Sequence, residues 1–172
     1  MPARQGQRAV PDDFRIVHLA DVPEAIPILV RWFVEEWEPY YGPDGPGDAE
    51  RDLTACCNRD ELPVGLLALD GEGKVVGTAA LKSESVETHR HLSPWLAALV
   101  VARDRRGERI GSVLVTAVED EARRLGFDSL YVAEDSSSGI MPRQGWIPMK
   151  EGVPSLRDPM TIYRRDFSPR TP

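Results

Sequence analysis

The order of apolar and polar positions divides the chain into a short series of strands and helices. Phe14 to Leu19 alternates with the period of a strand. Asp21 predicts a helix N-cap, with Pro23 and Glu24 in the first turn. Ile26, Leu29, Val30, Phe33, Val34 and Trp37 then recur at helical spacing, and Pro39 predicts the end of that helix. Pro39 to Gly47 reads as a loop, because it holds three prolines and three glycines. Ala49 to Arg59 reads as a second helix. Leu62 to Leu69, the turn Asp70-Gly71-Glu72-Gly73 and Lys74 to Leu81 form a hairpin pattern. Ser93 to Ala102 is so apolar that it predicts a central strand covered on both faces. Ile110, Val113, Leu114, Ala117, Val118, Ala122 and Leu125 make one helical stripe that stops at Gly126. Ser129 to Ala133 and Met160 to Arg165 read as the last two strands. The sum is a mixed α/β chain: a hairpin, a strand-turn-helix-strand crossover and a final strand.

Size and charge narrow the classes that remain. A chain of 172 residues with 41% hydrophobic and 28% charged residues suits one globular domain. Residues 14–167 are expected to form it, with flexible tails at 1–13 and 168–172. The longest apolar run, Trp95 to Ala102, is too short to span a bilayer, and Met1 to Val10 lacks the apolar stretch of a secretory signal. Neither a membrane nor an export route is expected. Cys56 and Cys57 are adjacent and belong to no metal-ligand spacing, which points to a reducing, cytoplasmic setting without a metal. A net charge of -7 argues against nucleic acid as a partner. The charge is uneven: Asp12 to Glu61 holds 13 acids and 4 arginines, whereas Arg103 to Gly111 holds 4 arginines and 2 acids. An acidic front half beside a basic turn suits two ligands of opposite sign; a solvated surface is the plainer alternative.

The basic turn carries the chemistry. The strand ending in Leu99-Val100-Val101 runs into Arg103 to Arg109 and then directly into the amphipathic helix. The first amides of a helix have no internal partner and sit at the positive end of its dipole, so a phosphate or diphosphate is their natural ligand. Gly107 and Gly111 allow close approach of that ligand, and Arg105, Arg106 and Arg109 can add charge-assisted bonds. The segment is neither a P-loop nor a Rossmann fingerprint, since it lacks both the GK[ST] ending and GxGxxG.

From Leu92 to Gly111 the chain resembles the acetyl-CoA-binding motif of the GNAT family of N-acetyltransferases. The family pattern Q/R-x-x-G-x-G/A reads here as Arg106-x-x-Arg109-x-Gly111. Val75 to Leu81 matches the strand before it, Leu130-Tyr131-Val132 and Gly145-Trp146 match the later elements, and Met160 to Arg165 fits the last strand. The resemblance covers residues 14–167. It implies a mixed, mostly antiparallel central sheet flanked by helices, with acetyl-CoA as the cofactor. The cofactor arm would bond the strand at Leu99 and Val101, and an amide near Val100 or Val101 would hold the oxyanion. The diphosphate would lie on the amides of Arg106, Gly107, Glu108, Arg109, Ile110, Gly111 and Ser112. An amine would attack the thioester directly. Homodimers are frequent in the family, so a homodimer is among the assemblies implied.

Two positions depart from the family pattern. Arg109 replaces its middle glycine, and Met141 stands where many members carry a proton-donating tyrosine. Trp95 stands where some members carry a glutamate base. Glu84 and His89, just before the central strand, are the candidate catalytic groups; His91 beside them is read as a solvated loop residue. Trp32, Glu35 and Glu36 lie at the end of the first helix, which walls the acceptor site in this family. Carboxylates beside indole faces suit a small cationic amine. Ser136, Ser137 and Ser138 suit either capping of a turn or a bond to the cofactor arm. The expected function is transfer of acetyl to the primary amine of a small molecule. The alternative is a weak or inactive acyl-CoA-binding module of the same fold.

Overall fold

A computed structural model describes residues 14–135, 137–155 and 158–167. The expected tails at 1–13 and 168–172, and Ser136, lie outside the described residues. The strands are β1 (Arg15–His18), β2 (Val64–Leu69), β3 (Val75–Lys82), β4 (Trp95–Val101), β5 (Ser129–Glu134), β6 (Ile147–Val153) and β7 (Met160–Asp166). The helices are α1 (Ile26–Glu36), α2 (Glu38–Tyr41), α3 (Ala49–Ala55), α4 (Ile110–Arg124) and α5 (Ile140–Arg143). All seven strands form one sheet in the order β1-β2-β3-β4-β5-β7-β6. Every neighbouring pair is antiparallel except β4 with β5.

Helix α4 covers one face. Its Ile110, Leu114, Val115, Val118 and Ala122 are fully buried against Leu66, Val76, Leu96, Leu130 and Val132. Each of the buried Ile, Leu and Val side chains contributes about 1.5–3 kcal/mol by leaving water. The close seating of α4 depends on Gly77 of β3. A Cβ there would stand 2.8 Å from Leu114 Cδ1 and 3.0 Å from Ile110 Cγ2. The opposite face is shared. Helices α1 and α3 bury Leu29, Phe33 and Leu53 over β2 and β3. Trp95, Tyr131, Val153 and Ile162 form a separate cluster farther along the sheet.

Several boundaries differ from the sequence reading. Asp21 does not cap a helix: the chain first winds through 3-10 turns at Leu19–Asp21 and Pro23–Ala25, burying Leu19 and Ala25, and the Asp21 carboxylate pairs with Arg59. Pro39 does not end α1, which stops at Glu36. It lies in the first turn of α2, where a missing N–H costs nothing. Helix α3 ends at Ala55 rather than Arg59, and Asn58 Nδ2 donates to the carbonyls of Ala55 and Pro63. Strand β6 and helix α5 were not foreseen. Strand β6 is an exposed edge carrying Pro148, Lys150, Glu151 and Gly152, so it shows no alternation of buried and exposed positions.

Candidate functional site

The expectation that the central strand is covered on both faces fails at its middle, and the site begins there. Strands β4 and β5 pair at only two positions, Trp95 with Tyr131 and Leu96 with Val132. Beyond them the strands part, and Ala97, Ala98 and Leu99 are half-buried. A bulge marks the departure. Three steps of β4, Ala97 to Val100, oppose two steps of β3, Ala80 to Thr78, and Ala98 has φ 56°. The bulge carries Ala98 and Val100 to the α1 side and leaves Leu99 and Val101 on the α4 side.

The same geometry decides which backbone groups are open. Ala102 N donates to Val76 O at 2.9 Å, and Val100 lies opposite Thr78 in the same register. Backbone bonding alternates along an antiparallel pair, so Val101 turns its N–H and C=O away from β3, and Leu99 does the same two residues earlier. Val100, expected as a backbone ligand, is turned the other way: its polar groups face β3 and its side chain is buried among Phe33 and Leu69.

The basic turn closes this gap at one end. The first backbone bond of α4 runs from Val113 N to Arg109 O, so the amides of Ile110, Gly111 and Ser112 precede the helical ladder. The N-cap residue, Arg109, makes no side-chain capping bond to them. Gly107 has φ +87° and open space where a Cβ would be. Gly111 faces inward, its ideal Cβ 3.2 Å from Ile140 Cδ1 and 3.9 Å from Val101 Cγ2. Arg109 takes φ +68°, the left-handed conformation that a glycine would supply freely. Arg109 borders a shallow hollow of about 400 Å³ together with Ser112, Val113 and Thr116, and it makes no ion pair among the described residues.

The other arginines are partly spent. Arg105, expected to reach a phosphate, instead makes a two-pronged bond to Glu108 (2.9 and 3.0 Å) and another to Asp70 (3.1 Å). Asp70 also accepts from the amides of Glu72 and Lys74, so one carboxylate shapes the β2–β3 turn and anchors the basic loop to it. Those amide bonds, with Arg105, hold its pKa below the usual range although partial desolvation opposes them. The Arg105 bond likewise lowers the Glu108 pKa. Arg106 donates from Nε to the open carbonyl of Val101 (3.2 Å) and from Nη2 to Glu36 (3.2 Å), tying the end of α1 to the loop.

Trp32 is half-buried and Glu35 exposed on α1. Glu84 is exposed in the β3–β4 loop, and the His89 ring lies 2.8 Å from the Thr88 hydroxyl and stacks near His91. Val86 and Leu92 of this loop pack on the Trp95–Tyr131 cluster. No hydrogen bond or ion pair joins Glu84 or His89 to Trp32 or Glu35 among the described residues. Met141 is fully buried beneath α4 and holds no proton. Sequence reasoning passed over Glu134, at the end of β5 beside the gap. One of its carboxylate oxygens is buried without a hydrogen-bond partner among the described residues. Its only signal was an acid ending an apolar strand. Ser138 Oγ accepts from Ile140 N (3.2 Å) and Ser137 N donates to Asp135, so these two serines organise the turn into α5.

No described helix is long and apolar enough to cross a membrane. A sequence search among curated proteins found no match. The fold is similar to that of solved acetyltransferases. An aminoglycoside 6′-N-acetyltransferase complexed with coenzyme A shares 15% identity, with a TM-score of 0.70 over 92% of this chain and 99% of that one. The aminoglycoside 6′-N-acetyltransferase of Enterococcus faecium shares 16%, with a TM-score of 0.69 over 92% and 99%. A ribosomal-protein-alanine N-acetyltransferase from Brucella melitensis shares 22%, with a TM-score of 0.67 over 89% and 99%. The acetyltransferase (GNAT) family profile matches residues 26–139, which hold the parted strands and the uncapped helix start. With a match over more than half its length, this chain belongs to the acetyltransferase (GNAT) family.

Proposed function

We propose that the protein transfers the acetyl group of acetyl-CoA to a primary amine of a small, cationic acceptor. The observation that carries this reading is the parting of β4 from β5 directly above the uncapped amides of α4. A slot with open backbone groups along one wall suits an extended amide-bearing arm. The helix start suits the diphosphate at its end. The residues present fit both parts: Gly107 leaves the loop open, Gly111 faces the slot, and Arg109 makes no ion pair among the described residues.

Acetyl-CoA supplies an acetyl group activated as a thioester. The chain's part is to hold and orient it. The amides from Arg106 to Ser112 would take the diphosphate, with Arg109 free to add a charge. Leu99 and Val101 would bond the arm, and an amide at that edge would receive the negative charge that develops on the carbonyl oxygen. The acceptor would approach from the α1 face, where Trp32, Glu35 and Glu36 offer aromatic and anionic surface to an ammonium group. Glu84 and His89, in the loop before β4, are the candidates to take a proton from it. Aminoglycosides, polyamines, amino acids and peptide N-termini are the acceptors to screen, with thiol release from acetyl-CoA as the readout. Thiol release above the acceptor-free rate supports the reading. Tight coenzyme A binding with no turnover on any acceptor assigns the chain to the binding-module alternative.

A further inference from the structure

Direct transfer needs two proton movements. The amine must lose a proton, and the departing sulfur must gain one. The family's tyrosine is replaced by Met141, which is buried and cannot donate. The described residues offer another acid on the same face of the sheet.

Glu134 is the last residue of β5. It lies two residues past Val132, the last position paired with β4, which is about 7 Å of strand into the gap. On its other side β5 still pairs with β7, Glu134 opposite Thr161. Leu130 and Val132 point into the α4 core and Tyr131 into the opposite cluster, so alternation puts Glu134 on the α4 side. That is the side of the helix start and of Met141. The acceptor wall, α1, is on the other side. An amine entering from α1 would therefore expel the sulfur toward Glu134.

Buried polar atoms almost always find a partner, and one that does not calls for an explanation. Among the described residues, Glu134 Oε1 is buried and has none, and Oε2 receives only a long bond from Ser138 Oγ, 3.4 Å. Burial raises the pKa of this carboxyl above the usual glutamate range; the Ser138 hydroxyl pulls it down and the Asp135 charge raises it again. Arg143 is the nearest cation in sequence, but its guanidinium donates to the Ser138 carbonyl at 3.1 Å. From β4, Leu99 and Val101 are apolar. No cation pairs with Glu134 among the described residues to bring its pKa back down.

We infer that Glu134 is the proton donor to the departing sulfur. The inference rests on the proposed acetyl transfer. The amine nitrogen uses its lone pair to form the C–N bond. The C–S bond breaks with its electrons on sulfur, and the proton on Glu134 moves to that sulfur, giving the free thiol. The amine releases its proton to the base that faces it, for which Glu84 and His89 are the candidates, and the Glu134 carboxylate regains one from solvent.

Glu134→Gln keeps the shape and removes the acidic proton. Thiol release is expected to fall on the order of 10²-fold, the lower end for loss of a general acid. Coenzyme A affinity, measured by calorimetry, should stay within about threefold. The wild-type kcat should decline as pH rises through the carboxyl's pKa, and this decline should be missing in Glu134→Gln. Ser138→Ala, which removes the bond favouring the charged form, should move the decline to higher pH. A readout independent of turnover is infrared difference spectroscopy of the wild type with bound coenzyme A. A protonated-carboxyl band should be present near neutral pH and absent from Glu134→Gln. An ionised Glu134 in that spectrum, or full kcat with an unchanged pH profile in Glu134→Gln, would overturn the assignment. Failure of the wild type to bind coenzyme A would instead sink the proposed function itself.

Discussion

Gly111→Trp tests the placement of the ligand slot most directly. Gly111 is in the first turn of α4, and its missing Cβ faces Ile140 and Val101, the two walls of the slot mouth. The first side-chain atom would already stand 3.2 Å from Ile140 Cδ1, so an indole has nowhere to go but along the gap. The amides of Ile110 to Ser112 would be covered by apolar surface, and a diphosphate could not reach them. A ligand present at a hundred times its Kd stabilises the folded state by about 2.7 kcal/mol, which for a chain of this size raises Tm by roughly 5–11 °C. Thermal unfolding of the wild type with saturating coenzyme A should show that rise, and Gly111→Trp should show none. Gly111→Ala is the control: Ile140 need yield only a few tenths of an ångström, so most of the rise should remain. An undiminished rise in Gly111→Trp would mean that the ligand binds elsewhere and that the uncapped amides have no part in holding it.

Further outcomes follow from packing and charge. Gly77→Val should cost about 1–3 kcal/mol in urea unfolding and weaken coenzyme A binding, because its methyls push Leu114 and Ile110 away and tilt the start of α4. Leu114→Ala, at a fully buried site, should cost about 2–5 kcal/mol. Arg109→Gly should stabilise the fold by roughly 1 kcal/mol, since it relieves a left-handed side chain; a loss in urea unfolding would show that the arginine's contacts outweigh the strain. Burial alone would raise the Glu121 pKa, but bonds from Arg124 (2.6 Å) and His18 (2.7 Å) outweigh it and hold the value below the usual range. A lowered folded-state pKa stabilises the protein above the unfolded value and is lost as pH falls through the folded one. Acid unfolding of the wild type should therefore steepen below about pH 4, and Glu121→Gln should blunt that slope.

Local pattern fixed most of the elements. The hairpin at Asp70, the amphipathic α4, the turn of Arg103 to Gly107 and the strands on either side are all local features, since hydrophobic period and turn chemistry act within a few residues. The family motif was legible for the same reason: a helix start, two glycines and an apolar strand sit within one stretch of chain. Three things were not written locally. The gap exists because β5 leaves β4 after two pairs, and pairing length depends on strands far apart in sequence. The fate of Arg105 and Arg106 depends on Asp70 and Glu36, 35 and 70 residues away. In sequence Glu134 is the ordinary end of a strand; tertiary packing buries one of its carboxylate oxygens with no partner among the described residues. Periodicity decides which face a side chain takes, whereas solvation and partnership are set only when distant segments meet, and those two quantities give a carboxylate or a guanidinium its chemistry.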